Sequence, residues 1–170
     1  LSNLETAKFK VNDLENLLRR VRSVADYQFG NGVGAELFPE NVQIICSKIT
    51  GRIRYVSING ERLATLRPTD GMLSISLAAA ERLATNDRNA CCFVTVTEEA
   101  AKHVSAGSDV FAAHVLEADE EVRARDEVIV IDEEKRVLAV GRALLASSEM
   151  CAFKIGVAVK VRHGSKQRTE

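Results

Sequence analysis

The chain has 170 residues, of which 46% are hydrophobic and 28% charged, with ten glycines and two prolines; this is the composition of an ordinary globular protein and excludes the disordered and collagen-like classes. No apolar run reaches the roughly 20 residues that span a bilayer, and the start Leu1-Ser2-Asn3-Leu4-Glu5 lacks a signal-peptide profile. The net charge of −1 conceals a segregation: residues 1–67 hold ten Lys/Arg against seven Asp/Glu, residues 68–150 eight against sixteen, and residues 151–170 five against one, so two basic ends flank an acidic middle.

The first element is an amphipathic helix over 11–25, apolar at Val11, Leu14, Leu17, Leu18, Val21, Val24 and Ala25. Gly30, Gly32 and Gly34 follow within five residues and predict a tight loop that lets another backbone approach closely. Strands are expected at 42–47, 53–58 and 62–67, the last two joined by Asn59-Gly60, a strong hairpin signal. A short strand at 73–76 and a short helix at 77–84 complete a curled antiparallel sheet with packed helices. The polar, aperiodic stretch 85–89 places a boundary there, giving an α+β domain over 1–88 and a second domain over 89–170. In the second, a strand at 92–96 leads to a helix at 98–106 that ends at Gly107. A strand or its approach at 110–115, a buried strand at 127–132, a strand at 137–144, a one-turn helix from Ser147 and a closing strand at 156–162 follow. The acidic runs 117–121 and 132–134 read as solvated loops. The whole is α+β, its second half a small, mostly β, partly closed barrel.

The chemistry inventory is thin. Cys46, Cys91, Cys92 and Cys151 have neither disulfide-framework nor zinc spacing, which predicts buried small hydrophobes in a reducing, cytoplasmic setting. His103, His114 and His163 stand apart, and no nucleophile elbow, Walker loop or H-E-x-x-H occurs. Asp70, in Pro68-Thr69-Asp70-Gly71, is a turn former. No catalytic residue, metal or cofactor is expected. Binding is signalled instead by the closing strand. Lys160 and Arg162 are two residues apart and so share an outward face, and His163, Gly164, Lys166 and Arg168 continue the basic run. Such cations beside glycine suit a phosphate backbone; a solubilising tail is the plainer alternative.

Four segments then acquire a joint meaning. Gly107-Ser108-Asp109-Val110-Phe111-Ala112-Ala113-His114-Val115, Asp126-Glu127-Val128-Ile129-Val130, Leu138-Ala139-Val140-Gly141-Arg142-Ala143 and Gly156-Val157-Ala158-Val159-Lys160-Val161-Arg162 together resemble a PUA domain, over residues 90–164. Tyr27-Gln28-Phe29-Gly30, Thr50-Gly51-Arg52-Ile53-Arg54 and Leu63-Ala64-Thr65-Leu66-Arg67-Pro68-Thr69-Asp70-Gly71 resemble the small domain that precedes PUA in archaeal tRNA-guanine transglycosylase. The resemblance covers the appendage of that family and not its catalytic barrel, and it extends to small free-standing archaeal proteins of this two-domain kind.

The resemblance implies a PUA-type pseudo-β-barrel that binds structured RNA, tRNA first among the candidates, with a separate tRNA-modifying polypeptide as the catalyst. It implies an RNA face of Gly107, Val110, Phe111 and His114, with Lys160 and Arg162 opposite. Gly107 would admit the RNA backbone, the two cations would meet phosphates, and His114 would donate a hydrogen bond. Arg52, Arg54 and Arg67 would extend that face from the first domain, unless they pair across strands with Glu61 or its neighbours. Asp109 and Ala113 stand where neutral or basic residues are usual, and Arg125 where Gly is usual, so that turn is expected to differ. The alternative function is a protein-interaction adaptor with little RNA affinity, and no membrane is among the expected partners.

Overall fold

The computed structural model describes residues 11–85 and 90–169. Helix α1 (Val11–Phe29) follows the expected apolar stripe but runs past Ala25, because Phe29 continues the stripe and both side chains are fully buried. Gly30 and Gly32 then take φ of 121° and 87°, and a short helix α2 (Val33–Leu37) follows where only a loop was expected. The close approach anticipated for the glycines is real: a Cβ on Gly34 would strike the Arg22 carbonyl of α1. Asp26 Oδ1 closes this corner by accepting from the Gly34 N–H at 2.7 Å.

Strands β1 (Gln43–Cys46), β2 (Ile53–Ile58), β3 (Glu61–Leu66) and β4 (Leu73–Ile75) form an antiparallel sheet in chain order. Asn59 and Gly60 both have positive φ, 50° and 83°, the signature of the type I′ turn their dipeptide predicts. Helix α3 (Leu77–Thr85) leaves this sheet for the second half. Phe29, Leu37, Phe38, Val56, Leu63 and Leu73 fill the core beneath.

The boundary expected at 88–89 lies outside the described residues. Beyond it come β5 (Phe93–Val96), α4 (Glu98–Ser105), β6 (Val110–Phe111), β7 (Val115–Ala118), β8 (Glu127–Ile131), β9 (Val137–Ala143), α5 (Ser147–Ala152) and β10 (Val157–Gly164). The sheet order is β6-β10-β9-β8-β5-β7, with β5 and β8 parallel and the other pairs antiparallel. This curled, nearly closed mixed sheet is the pseudo-barrel of the α+β reading. Three local expectations fail. Strand β7 includes Glu117, in a stretch read as a solvated loop, because its neighbour Ala118 is buried and pairs with Val94. Cys151 is exposed rather than a core residue, although Cys92 is buried as expected. Strand β10 does not alternate cleanly: Val161 faces Gly141 and His163 faces Val140, so Arg162 is the extra residue of a bulge.

The two halves share a core as well as a chain. Ile129, Ile131 and Val140 of the second sheet belong to the same buried cluster as Leu77, Ala80 and Leu83 of α3. Polar contacts join them at β4, the free edge of the first sheet. Residues of an edge strand present unpaired N–H and C=O groups that must find partners when buried. The Gln28 amide of α1 serves Leu73, accepting from its N–H at 2.5 Å and donating to its carbonyl at 3.1 Å. Glu127 and Arg162 serve Ile75: Glu127 Oε1 accepts from its N–H at 3.0 Å, and Arg162 Nη2 donates to its carbonyl at 2.8 Å. The Arg162 guanidinium forks onto the buried Glu127 carboxylate through both terminal nitrogens. Three side chains thus replace the missing fifth strand.

A second ionic device holds the β8–β9 turn. Asp132 Oδ1 accepts from the N–H groups of Glu134 and Arg136 at 3.0 and 2.8 Å, and Oδ2 from Arg136 Nε at 2.7 Å. Burial opposes the Asp132 charge, but the hydrogen bonds from Arg136 outweigh it and hold the carboxyl below its ordinary pKa.

Glu127→Gln should lower unfolding stability by about 2–4 kcal/mol, a little under the usual cost of breaking a buried pair because Arg162 is part-exposed. Glu127→Met with Arg162→Met should remain destabilised, since the Ile75 groups stay orphaned; full recovery in urea unfolding would show the pair to be dispensable. Asp132→Asn should cost about 1–3 kcal/mol at neutral pH. Because its folded pKa is lowered, the stabilisation by Asp132 is complete above the unfolded value and is lost as pH falls through the folded one. The gap between wild type and variant should therefore close in acid, and a gap constant down to pH 2 would refute the assignment.

Candidate nucleic-acid interface

The expected face gathers around the C-terminal end of α4. Thr97 caps that helix at its start, and Gly107 ends it with φ 101°, a left-handed conformation that favours glycine. The Gly107 N–H donates to the Val104 carbonyl at 2.9 Å, and the Ser108 N–H to the His103 carbonyl at 3.0 Å. The end of β10 packs directly on this turn, for a Cβ on Gly164 would meet the Ser105 carbonyl and lie 2.6 Å from the Gly107 nitrogen. The open side of Gly107 is covered within the chain. A Cβ there would fall on the Gln167 carboxamide, whose Oε1 accepts from the Gly164 N–H at 3.0 Å.

Asp109 is the fastening between β6 and β10. Its Oδ1 accepts from the Val161 N–H at 3.0 Å and its Oδ2 from Lys160 Nζ at 2.8 Å. This carboxylate, which the resemblance marks as a departure, has an internal structural use. Lys160 remains 66% exposed, so a solvated pair of this kind is weak and leaves the ammonium open to a second anion. Beside Asp109, the exposed Phe111 ring and His114 line a recess of about 350 Å³ with His103 and Ser108. Half-buried His114 places Nδ1 3.4 Å from Thr97 Oγ1, and its carbonyl accepts from the Thr97 N–H at 3.0 Å.

The structure therefore brings together Gly107, Phe111, His114 and Lys160, and separates the other expected residues from them. Val110 is 1% exposed and belongs to the barrel core; neighbouring strand residues face opposite ways, so only one of Val110 and Phe111 is available at the surface. Arg162 lies on the same barrel face as Lys160, but its guanidinium is engaged by Glu127 and the Ile75 carbonyl. Arg52 and Arg54 are exposed on the first sheet, Arg52 just before β2 rather than on it. Glu61 stands opposite Ile58 at the turn end of the hairpin, away from Arg54. Arg67 is only 14% exposed and pairs with Asp70 at 3.0 Å. The Met72 N–H and the Arg67 guanidinium hold Asp70 below the usual carboxylate range.

One cation escaped the sequence reading. Arg142 stands in register between Lys160 and Glu127 across β10, β9 and β8; a lone cation inside an apolar strand was its only signal. Arg125, at the turn where the resemblance expects Gly, has φ 81°, a left-handed conformation that favours glycine, and adds a charge there. Nearby, burial and Glu121 push the Cys91 thiol up to about 11, and burial also raises Cys92, so neither is a thiolate nucleophile at neutral pH.

Comparison with known proteins matches this layout. Residues 19–89 match the patch-forming domain C2 of tRNA-guanine transglycosylase, and residues 93–165 match the PUA domain. The tRNA-guanine(15) transglycosylase of Methanobrevibacter smithii is 36% identical over 167 residues, 98% of this chain and 25% of that protein. The Pyrococcus abyssi enzyme is 41% identical over 150 residues, 88% of this chain and again 25% of that protein. The chain thus spans about a quarter of the length of these relatives. Among solved structures, a hypothetical protein of Pyrococcus horikoshii superposes with a TM-score of 0.72 at 22% identity, covering 89% of this chain and 92% of its own. A conserved PUA domain protein of Thermoplasma acidophilum gives 0.62 at 26% identity, covering 89% of each. No helix among the described residues is long and apolar enough to cross a membrane. The chain is a PUA-domain protein that resembles the C-terminal region of the archaeal tRNA-guanine(15) transglycosylases.

Proposed function

We propose that this chain binds tRNA and serves tRNA modification as a non-catalytic module beside a catalytic polypeptide. The observation that carries this reading is the exposed Phe111 ring at the rim of the α4 recess, with Lys160 held 2.8 Å from Asp109 next to it. An aromatic face stacks on an unpaired base of any sequence, and a partly solvated ammonium beside it meets a phosphate. His103 and His114 in the same recess offer ring nitrogens to base edges. The matched families point the same way, since the relatives carry tRNA-guanine transglycosylase in their names. About three quarters of each relative has no counterpart in these residues. Arg162 has no part in the RNA face on this reading; its work is at Ile75.

Anisotropy titration of labelled total tRNA at two salt concentrations tests the proposal. Wild type should bind at micromolar or better, with affinity falling steeply between about 50 and 200 mM salt. Phe111→Ala should weaken binding by about 1–3 kcal/mol with little change in salt slope. Lys160→Ala should weaken it less and flatten the slope by about one phosphate. Arg162→Ala should lower the melting temperature instead. No tRNA binding at low salt would overturn the proposal and favour the adaptor, for which the exposed Phe111, Phe153 and Ile155 supply apolar contacts.

A further inference from the structure

A second concavity, a cleft of about 870 Å³, opens between the two halves. Its deep end holds Arg67 and Glu127, Arg142 of β9 forms a wall, and Arg125 and Tyr27 reach it from the β7–β8 loop and from α1. Its carboxylates are already engaged. Asp70 accepts from Arg67 and from the Met72 N–H, Asp126 Oδ2 from the Arg123 N–H at 2.8 Å, Glu121 from the Cys91 thiol, and Glu127 from Arg162 and Ile75. Arg125 and Arg142 are different: neither side chain makes a hydrogen bond or contact ion pair among the described residues.

The backbone places these two arginines beside one another on the cleft wall, where the Arg142 charge also acts on Asp70. The Arg125 N–H donates to the Ala143 carbonyl at 2.7 Å, and the Ala143 N–H to the Asp126 carbonyl at 2.9 Å. The loop carrying Arg125 is thereby tied to the residue that follows Arg142. Holding an arginine at φ 81° is unfavourable for any side chain, and such conformations gather at functional sites. Arg142 is also the cross-strand partner of Lys160, so paired side chains carry positive charge across the sheet from the α4 recess to the cleft. Tyr27, 80% exposed, stands at the cleft as an aromatic surface without a protein cover.

We infer that the cleft between the two halves is a second RNA-contact site, in which Arg142 and Arg125 take backbone phosphates and Tyr27 takes a base. This rests on the RNA-binding reading above and extends it: one strand of RNA would run from the Phe111 recess over Lys160 and Arg142 into the cleft. Guanidinium forks match phosphate oxygens in pairs. Neutralising each phosphate contributes roughly 0.7–0.9 to the logarithmic salt slope.

Arg125→Gly separates binding from folding, because glycine suits φ 81°. Its melting temperature should rise by about 2 °C, while affinity for total tRNA falls severalfold and the salt slope drops by about one. Arg142→Gln should weaken binding about tenfold with a similar drop in slope, and Arg142→Lys should restore most of the slope. Wild-type binding with Arg125→Gly and Arg142→Gln unchanged, while Phe111→Ala is weakened, would overturn the cleft and leave the RNA reading standing. Failure of wild type to bind tRNA at low salt would overturn both.

Discussion

The contact on which the rest of the molecule depends is the fork of Arg162 and Glu127 around the backbone of Ile75. A buried carboxylate and a guanidinium cost free energy to desolvate, and their mutual attraction alone often fails to repay it. Here each also meets a backbone group of an edge strand that water cannot reach, so the pair removes two further penalties that an apolar substitute would leave. Because Ile75 lies in the first sheet and Glu127 and Arg162 in the second, this local solution also sets how the halves face each other. The cleft lined by Arg125 and Arg142 exists at that junction, and its width follows from this fork and the shared core around α3.

Much of the architecture was legible because it is local. The stripe of α1, the Asn59-Gly60 turn and the helix ending at Gly107 each depend on a few adjacent residues whose preferences agree. Strand β8 was legible as a continuous apolar run, but the same run begins with Glu127, whose burial depends on residues 52 and 35 positions away. The bulge at Arg162 is likewise a property of the β9–β10 register and not of β10 alone. That extra residue leaves Arg162 on the face of Lys160 with its guanidinium engaged by Glu127 and Ile75. Val110 is a different kind of error, since alternation along a strand already argued against both Val110 and Phe111 facing out.

Asp109 shows why charge by position is a poor guide to a binding face. An acid where the related pattern has a neutral or basic residue suggests repulsion of phosphate. In place, it accepts from a backbone N–H and from Lys160, fixing the ammonium beside the Phe111 recess. The acidic middle of the chain follows the same logic. Asp70, Asp126, Asp132 and Glu127 are all spent on N–H groups and guanidiniums of the protein itself, so the segment's large formal charge overstates the field that a partner meets.

The fork around Ile75 also orders events during synthesis. The first sheet can pair its four strands once residue 75 has emerged, yet the groups that finish its edge lie 52 and 87 residues further along. Until they arrive, β4 offers open hydrogen-bonding positions on a strand with Leu73 and Ile75 at its ends, which is the template that nascent chains use to pair with one another. A ribosome adding about 5–20 residues per second leaves that edge uncovered for several seconds. The brevity of β4, three residues long, and the early arrival of Gln28, already folded into α1 on the same edge, limit that exposure to little more than one residue's pair of groups.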